Sequence, residues 1–132
     1  MDEELRQEGN IEVNDNPDTE QDGDKEIYEG GPTFNQLEAW KSQFKAIYLT
    51  EFDDENVFIW RALNRKEYKD VMKIDNADQF YKEERICEKC VLWPQNFGFL
   101  AMSGGKAGIP SYIAEQIMDK SGFVAKTGAL KL

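Results

Sequence analysis

The sequence contains no histidine and only two cysteines, Cys87 and Cys90, in 132 residues. Histidine is a frequent acid–base catalyst and zinc ligand, so its absence removes most catalytic and zinc-binding frameworks. No stretch approaches the roughly 18 apolar residues that span a membrane, and no apolar run follows a basic start. Small secreted domains usually carry more cysteines. We therefore expect a reduced cytoplasmic protein without a membrane span or signal peptide.

The first 30 residues have little positive charge and little apolar surface. They hold twelve Asp or Glu against two Lys or Arg, whereas residues 31–132 hold fourteen of each sign, so the arm accounts for the net charge of −10. Such a segment cannot bury enough apolar surface to offset the entropy of ordering, which predicts an acidic arm over 1–30 that is disordered through residue 27. Its simplest role is to solubilise the protein; a lure for a basic partner surface, or a mimic of nucleic acid, is the alternative. If the arm docks, its apolar anchors are Ile11, Val13, Ile27 and Tyr28.

A single compact domain is expected over residues 31–123, followed by a flexible tail over 124–132. Gly30-Gly31-Pro32 breaks the chain at the start of this domain. Thr33 and Gln36 have capping-box spacing, which together with the apolar periodicity predicts a helix over 33–46. Two runs rich in β-branched and aromatic residues, 47–52 and 57–61, surround a polar tetrad and predict a β-hairpin.

Three further helices are predicted after the hairpin. Asn64 and Glu67 form a second capping-box pair. The next helix is predicted to begin at Asp75-Asn76 and to end at Pro94. Its predicted inner side chains are Phe80, Ile86, Cys87, Cys90 and Val91. A loop with buried apolar anchors is predicted over 95–108, and the last helix then begins near Pro110 and ends before Gly122. The predicted fold class is α+β, with a β-hairpin packed against about four helices.

Aromatic side chains of the hairpin are the candidate partner-binding residues. Phe58 and Trp60 lie on one face of the second strand, and Val57 and Ile59 on the other. Both faces are partly apolar, which suggests that helices cover one face and that a partner contacts the other. The expected exposed anchors are Tyr48, Phe58 and Trp60.

The pair Cys87 and Cys90 has three interpretations. A structural zinc usually needs four Cys or His ligands, so a zinc site would have to be shared between two chains that each supply both thiols. A redox pair belongs at the start of a helix that follows a strand, whereas these residues lie inside a predicted helix. Two small thiols packed in the core are the third and favoured interpretation.

Other local patterns do not predict a catalytic or nucleotide site. The run 103–108 resembles the end of a phosphate-binding loop. The complete motif requires Gly at position 100 and Ser or Thr at position 107, where this sequence has Leu100 and Ala107. The acidic groups 53–55 and 83–84 lack calcium-binding spacing and are expected to be solvated. We expect no cofactor and no catalytic centre. Nucleic-acid binding is disfavoured because the domain is neutral and the arm is acidic.

Three segments carry a resemblance to a known family. They are 58–69 (FIWRALNRKEYK), 84–94 (ERICEKCVLWP) and 107–117 (AGIPSYIAEQI). Together they resemble the tail-assembly-chaperone and baseplate-hub-assembly proteins of large contractile-tailed bacteriophages, and the resemblance covers roughly residues 47–123. It implies a non-enzymatic helper that binds tape-measure or hub proteins in the host cytoplasm during tail morphogenesis. A structural component of the baseplate in the virion is the alternative, and a homo-oligomer is compatible with either. The acidic arm is not part of the resemblance.

Overall fold

The computed structural model describes residues 20–98, 105–125 and 127–132. This part of the chain contains four α-helices and a three-stranded antiparallel sheet, so the predicted α+β class is confirmed. Its residues group into two compact units. The first comprises the described residues up to Trp60 together with Leu92–Gln95, and the second comprises the remainder.

The predicted hairpin forms the centre of the first unit. Strands β1 (Ile47–Glu51) and β2 (Val57–Arg61) are joined by a turn in which the carboxylate of Asp53 accepts from the backbone N–H groups of Glu55 and Asn56, at 2.9 and 2.8 Å. A third strand, β3 (Val91–Trp93), pairs with β2, giving the order β1-β2-β3. This third strand was not predicted.

Helix α1 (Phe34–Phe44) begins where the sequence predicts. Thr33 accepts from the backbone N–H of Gln36, and the Gln36 side chain accepts from the N–H of Thr33. The helix ends earlier than predicted, because Lys45 adopts a positive φ of 68° that a right-handed helix cannot contain. Its apolar side chains join a core with Ile59 and Trp93.

The predicted acidic arm extends too far toward the domain. Residues Glu20–Asp24 form a 3₁₀ turn, and Ile27 and Tyr28 are buried in the core of the first unit, where Ile27 is only 3% exposed. Backbone hydrogen bonds from Ile27 to Pro32 and from Phe34 to Lys25 fix this segment. Ordering this segment is favourable because two of its few apolar side chains, Ile27 and Tyr28, pack into the same core. Residues 1–19 lie outside the described part of the chain.

A turn after Tyr28 fits the glycines that the sequence analysis assigned to a boundary. Gly30 has a φ of +80°, and the N–H of Gly31 donates to the carbonyl of Tyr28 at 2.9 Å. A Cβ atom on Gly31 would lie 2.6 Å from the Tyr28 ring. Burial raises the pKa of Tyr28 to about 12. The Gly30-Gly31 pair therefore forms a turn that lets the Tyr28 ring pack against the backbone. It does not mark the end of the acidic arm, as the sequence suggested.

The second unit contains helices α2 (Arg65–Met72), α3 (Gln79–Cys90) and α4 (Ile109–Met118), followed by a π-helical turn (Asp119–Phe123). The predicted capping box of Asn64 and Glu67 is present at the start of α2. Pro110 lies in the first turn of α4, and Gly122 has a φ of 92° in the turn that follows. Among its described residues, the buried side chains of this unit are Leu63, Val71, Ile86, Cys87, Cys90, Phe97, Ile109, Pro110, Ile113, Ala114 and Ile117.

Helix α3 differs from its predicted form at both ends. Asp78, not Asp75 or Asn76, is the N-cap and accepts from the N–H of Tyr81 at 2.8 Å. The helix ends at Cys90, because the β-branched and aromatic residues that follow pair as β3. Phe80 was predicted to be buried but is 66% exposed: it lies in the first turn, and the buried positions begin with Ile86.

The predicted loop over 95–108 and the predicted tail over 124–132 are each described in part. The buried anchor predicted at Phe97 is confirmed. Residues 99–104, which include the predicted anchors Phe99, Leu100 and Met102 and the first two residues of the phosphate-loop-like run, lie outside the described residues. Residues 124–125 and 127–132 have no regular secondary structure and are exposed, whereas their predicted flexibility stays a prediction.

Candidate functional site

The aromatic side chains predicted to contact a partner are not free surface residues. Phe58 and Trp60 are 4% and 3% exposed, and the indole Nε1 of Trp60 donates to Oγ1 of Thr50 at 2.9 Å. Tyr48 is half-buried and stacks on Trp60 with 4.8 Å between ring centroids. The predicted exposure of Phe58 and Trp60 is wrong, because both faces of β2 are buried rather than one.

Arg61 connects three parts of the second unit. Its guanidinium donates to both carboxylate oxygens of Glu67 at 2.8 Å, and to the carbonyl oxygen of Lys89 at 2.7 Å. The hydrogen bond from Arg61 holds the pKa of Glu67 below its ordinary value. Glu67 also accepts from the N–H of Asn64. One carboxylate therefore closes the first turn of α2 and ties that turn, through Arg61, to the end of α3.

The two thiols occupy the core of the second unit. Cys87 and Cys90 are fully buried and not disulfide-bonded, and Sγ of Cys87 donates to the carbonyl of Pro110 at 3.3 Å. Burial raises the pKa of the Cys87 thiol well above its usual range and that of Cys90 to about 12. This burial fits the packing interpretation. Both sulfurs are enclosed in this arrangement, whereas a zinc site shared with a second chain would need them at the surface.

One face of α2 combines cations with exposed apolar side chains. Arg65, Lys69 and Lys73 follow each other at intervals of four residues and are exposed. Tyr68 and Met72 form the adjacent row, since each lies three residues from a cation of the first row. The Tyr68 ring contacts that of Phe123, with 4.6 Å between centroids. We name these residues the α2 face: Arg65, Tyr68, Lys69, Met72, Lys73 and Phe123.

Exposed aromatic side chains also occur on the other helices of the second unit. Phe80 and Tyr81 are exposed on α3, and Tyr112 on α4. Arg85 lies over the Tyr81 ring at 4.6 Å. Ser111 donates to Glu83 at 2.6 Å and joins the two helices beside these side chains. Exposed apolar side chains are thus concentrated in the second unit, where the sequence analysis did not expect a partner surface.

The described residues do not assemble a metal-binding group of three or more acidic or cysteine side chains. Within that same part of the chain, none of the helices has both the length and the apolar character to cross a membrane.

The α2 face was not predicted from the sequence, because the apolar periodicity of this helix identifies only its buried side. The signal was nevertheless present, since cations at 65, 69 and 73 must share one side of a helix that begins after Asn64. Phe123 could not be assigned to the face from the sequence, because its contact with Tyr68 spans 55 positions of the chain.

Comparison with known proteins identified no match among protein-family models, curated proteins or solved structures.

Proposed function

We propose that this chain is a non-enzymatic assembly chaperone for a contractile-tailed bacteriophage, binding tape-measure or hub proteins in the host cytoplasm before the tail is complete. The support is the resemblance of segments 58–69, 84–94 and 107–117 to that family. Residues characteristic of each segment interact with residues of another.

The contacts between the segments are contacts of the fold. Arg61 and Glu67 of the first segment join Lys89 of the second, and Cys87 of the second donates to Pro110 of the third. The three segments therefore pack against one another in the second unit, and we look for the binding residues on the surface of this unit.

The surface of the second unit suits protein binding. Its exposed large apolar side chains include Phe80, Tyr81 and Tyr112, on two helices that are joined by the hydrogen bond from Ser111 to Glu83. Aromatic side chains with one wet and one apolar side are frequent anchors of protein interfaces. The thiols, in contrast, are buried with raised pKa values, which opposes their use as nucleophiles.

Co-expression with the tape-measure protein of the same genome tests the proposal. The full chain is expected to raise the soluble fraction of that protein and to co-purify with it, because it would cover apolar surface before assembly. A matched control is the Phe80→Ser, Tyr112→Ser double variant, whose exposed positions should leave folding intact while binding weakens. An unchanged soluble fraction with the wild-type chain, for both tape-measure and hub proteins, would contradict the proposal.

A structural component of the baseplate is the second candidate function, since the same resemblance includes baseplate-hub-assembly proteins. Mass spectrometry of purified virions distinguishes the two. A chaperone is expected to be absent from finished particles and abundant in the infected-cell lysate, whereas a baseplate component is expected at a fixed ratio to other tail proteins.

A further inference from the structure

The α2 face has the composition of a binding surface with an apolar strip and a cationic border. Met72 and Phe123 are 36% and 44% exposed, and Tyr68 lies between them. Arg65, Lys69 and Lys73 run along the side of this strip, and the guanidinium of Arg65 lies over the Tyr68 ring at 5.5 Å. A ligand that covers the strip therefore meets a row of positive charges.

The positive charges of this row are not neutralised within the described part of the chain. The cations on the exposed side of α2 are Arg65, Lys66, Lys69 and Lys73. Among the described residues, only Lys66 of these forms an ion pair, with Asp70 at 3.2 Å. Lys66 and Asp70 lie on the side of the cation row that faces away from the apolar strip. The long side chains border a shallow cleft, which is lined by Arg65, Lys66, Lys69, Asp70 and Lys73. The row is a local concentration of positive charge within residues 31–132, whose charges sum to zero.

The backbone beneath the α2 face is held at several points. Val71 is fully buried on the opposite side of the helix, and the capping box together with Arg61 fixes the first turn. On the other side, the N–H of Leu63 donates to Oγ of Ser121 at 2.8 Å, two residues before Phe123. A surface held in this way loses little conformational entropy on binding.

From these observations we propose that the α2 face binds an acidic segment of a partner protein that also carries apolar side chains. Carboxylates of the segment would pair with Lys69 and Lys73, and its apolar side chains would cover Met72 and Phe123. Charge complementarity selects the acidic partner, and the apolar strip selects a peptide over a ligand made only of charges. Nucleic acid fits less well, because it carries no aliphatic side chains to cover Met72 and Phe123. The inference rests on the proposed protein-binding role and specifies its partner.

Charge reversal on this face tests the inference in the full-length protein. The test variant is Lys69→Glu with Lys73→Glu, which changes a last-turn residue and the C-cap of α2. The matched control is Lys41→Glu with Lys45→Glu, which changes the same two kinds of position on α1 and alters net charge equally. In both helices the C-cap N–H donates to the carbonyl of the last-turn lysine, and urea unfolding of both variants checks that each remains folded.

The probe is a labelled peptide of about 15 residues in which glutamates alternate with leucine and phenylalanine, a length that covers such a helix face. Fluorescence anisotropy is expected to show binding to the wild-type chain that falls at least tenfold in the test variant and about twofold or less in the control, since only the test variant removes direct pairs. Met72→Ser is expected to weaken the same probe without altering the unfolding curve. A peptide with serine in place of the apolar residues should bind less tightly than the probe.

Three results would overturn the inference. They are no saturable binding of the probe to the wild-type chain, equal losses in test and control variants, or tighter binding of single-stranded DNA than of the probe. The co-expression assay keeps the two proposals apart. If the test variant still solubilises the tape-measure protein, the α2 face is not the binding surface although the chaperone role stands. If the probe binds as expected but no tail protein is solubilised, the phage assignment fails alone.

Discussion

At the scale of single residues, Arg61 and Glu67 link local sequence to tertiary packing. Glu67 is the capping-box residue of α2, a role fixed by its spacing from Asn64. Arg61 turns this local device into a tertiary contact by also donating to the carbonyl of Lys89. Their side chains are 14% and 21% exposed, so solvent screens the pair less than it screens a surface ion pair.

Glu67→Gln is expected to lower the free energy of unfolding by about 1–3 kcal/mol at neutral pH, since charged hydrogen bonds are worth about twice neutral ones. Glutamine at this position can still accept from the N–H of Asn64, so the cap is retained. Urea unfolding measures the difference. Glu38→Gln is the control, because Glu38 is 70% exposed and lies 3.7 Å from its partner Lys41; its effect should be close to zero.

The same pair sets a pH dependence of known sign. The folded pKa of Glu67 lies below its ordinary value of 4.5. Its contribution is therefore fully present above the unfolded pKa and is lost as pH falls from there through the folded pKa. The stability difference between wild type and Glu67→Gln should be constant from neutral pH down to about pH 5 and then narrow. A difference that widened in acid would contradict the assigned direction.

The thiols should react only when the second unit opens. Burial raises the pKa of Cys90 to about 12 and that of Cys87 further, so thiolate is scarce in the folded protein. With a thiol reagent such as Ellman's, we expect no fast phase in the folded chain, and two thiols per chain in urea. Rapid labelling of either thiol without denaturant would contradict the packing. Zinc bound in the purified protein would restore the shared-site interpretation.

At the scale of elements, local sequence rules identified the features that depend on residues close together in the chain. Both capping boxes and the hairpin were predicted because each depends on residues within a few positions of each other. The pairing of β3 with β2 was not, since Val91–Trp93 directly follows a helical pattern and its partner strand lies about 30 positions earlier. The burial of Phe58 and Trp60 was missed for a related reason. Alternation shows which residues share a face but not which faces are covered.

The segment before α1 supplies a test at this scale. A segment disordered through residue 27, as expected from the sequence, could be deleted with little change in melting temperature, whereas the structure places Ile27 in the core and Lys25 in a backbone bond to Phe34. We therefore expect this deletion to lower the melting temperature by roughly 5–15 °C, as the loss of one buried isoleucine and its neighbours implies for a chain of this size.

Deleting only residues 1–19 is the matched control for that experiment. Their large apolar side chains are Leu5, Ile11 and Val13, which is little surface to bury. Differential scanning calorimetry of both deletions and the full chain makes the comparison. An equally stable 1–27 deletion would show that Ile27 and the backbone bond at Lys25 contribute little to stability, and an equally unstable 1–19 deletion would show that the anchors lie further upstream.

At the scale of the whole molecule, charge and apolar surface are separated along the chain. Residues 1–19 hold seven carboxylates and one arginine, whereas the α2 face holds three cations beside its apolar strip. Exposed apolar side chains favour self-association, and net charge of one sign opposes it. The acidic charge of residues 1–19 is therefore expected to oppose self-association through these exposed side chains.

Removing residues 1–19 should therefore lower solubility at neutral pH, because net charge falls from −10 to −4 while the exposed apolar surface of the helices is unchanged. Precipitation by polyethylene glycol measures the change. A full-length variant with those seven carboxylates converted to amides separates charge from bulk, since it keeps the length but carries −3. If charge is the cause, the amide variant precipitates as early as the deletion. If the bulk of the segment is the cause, the amide variant stays as soluble as the wild type. That result would show that the electrostatic account of the segment is wrong.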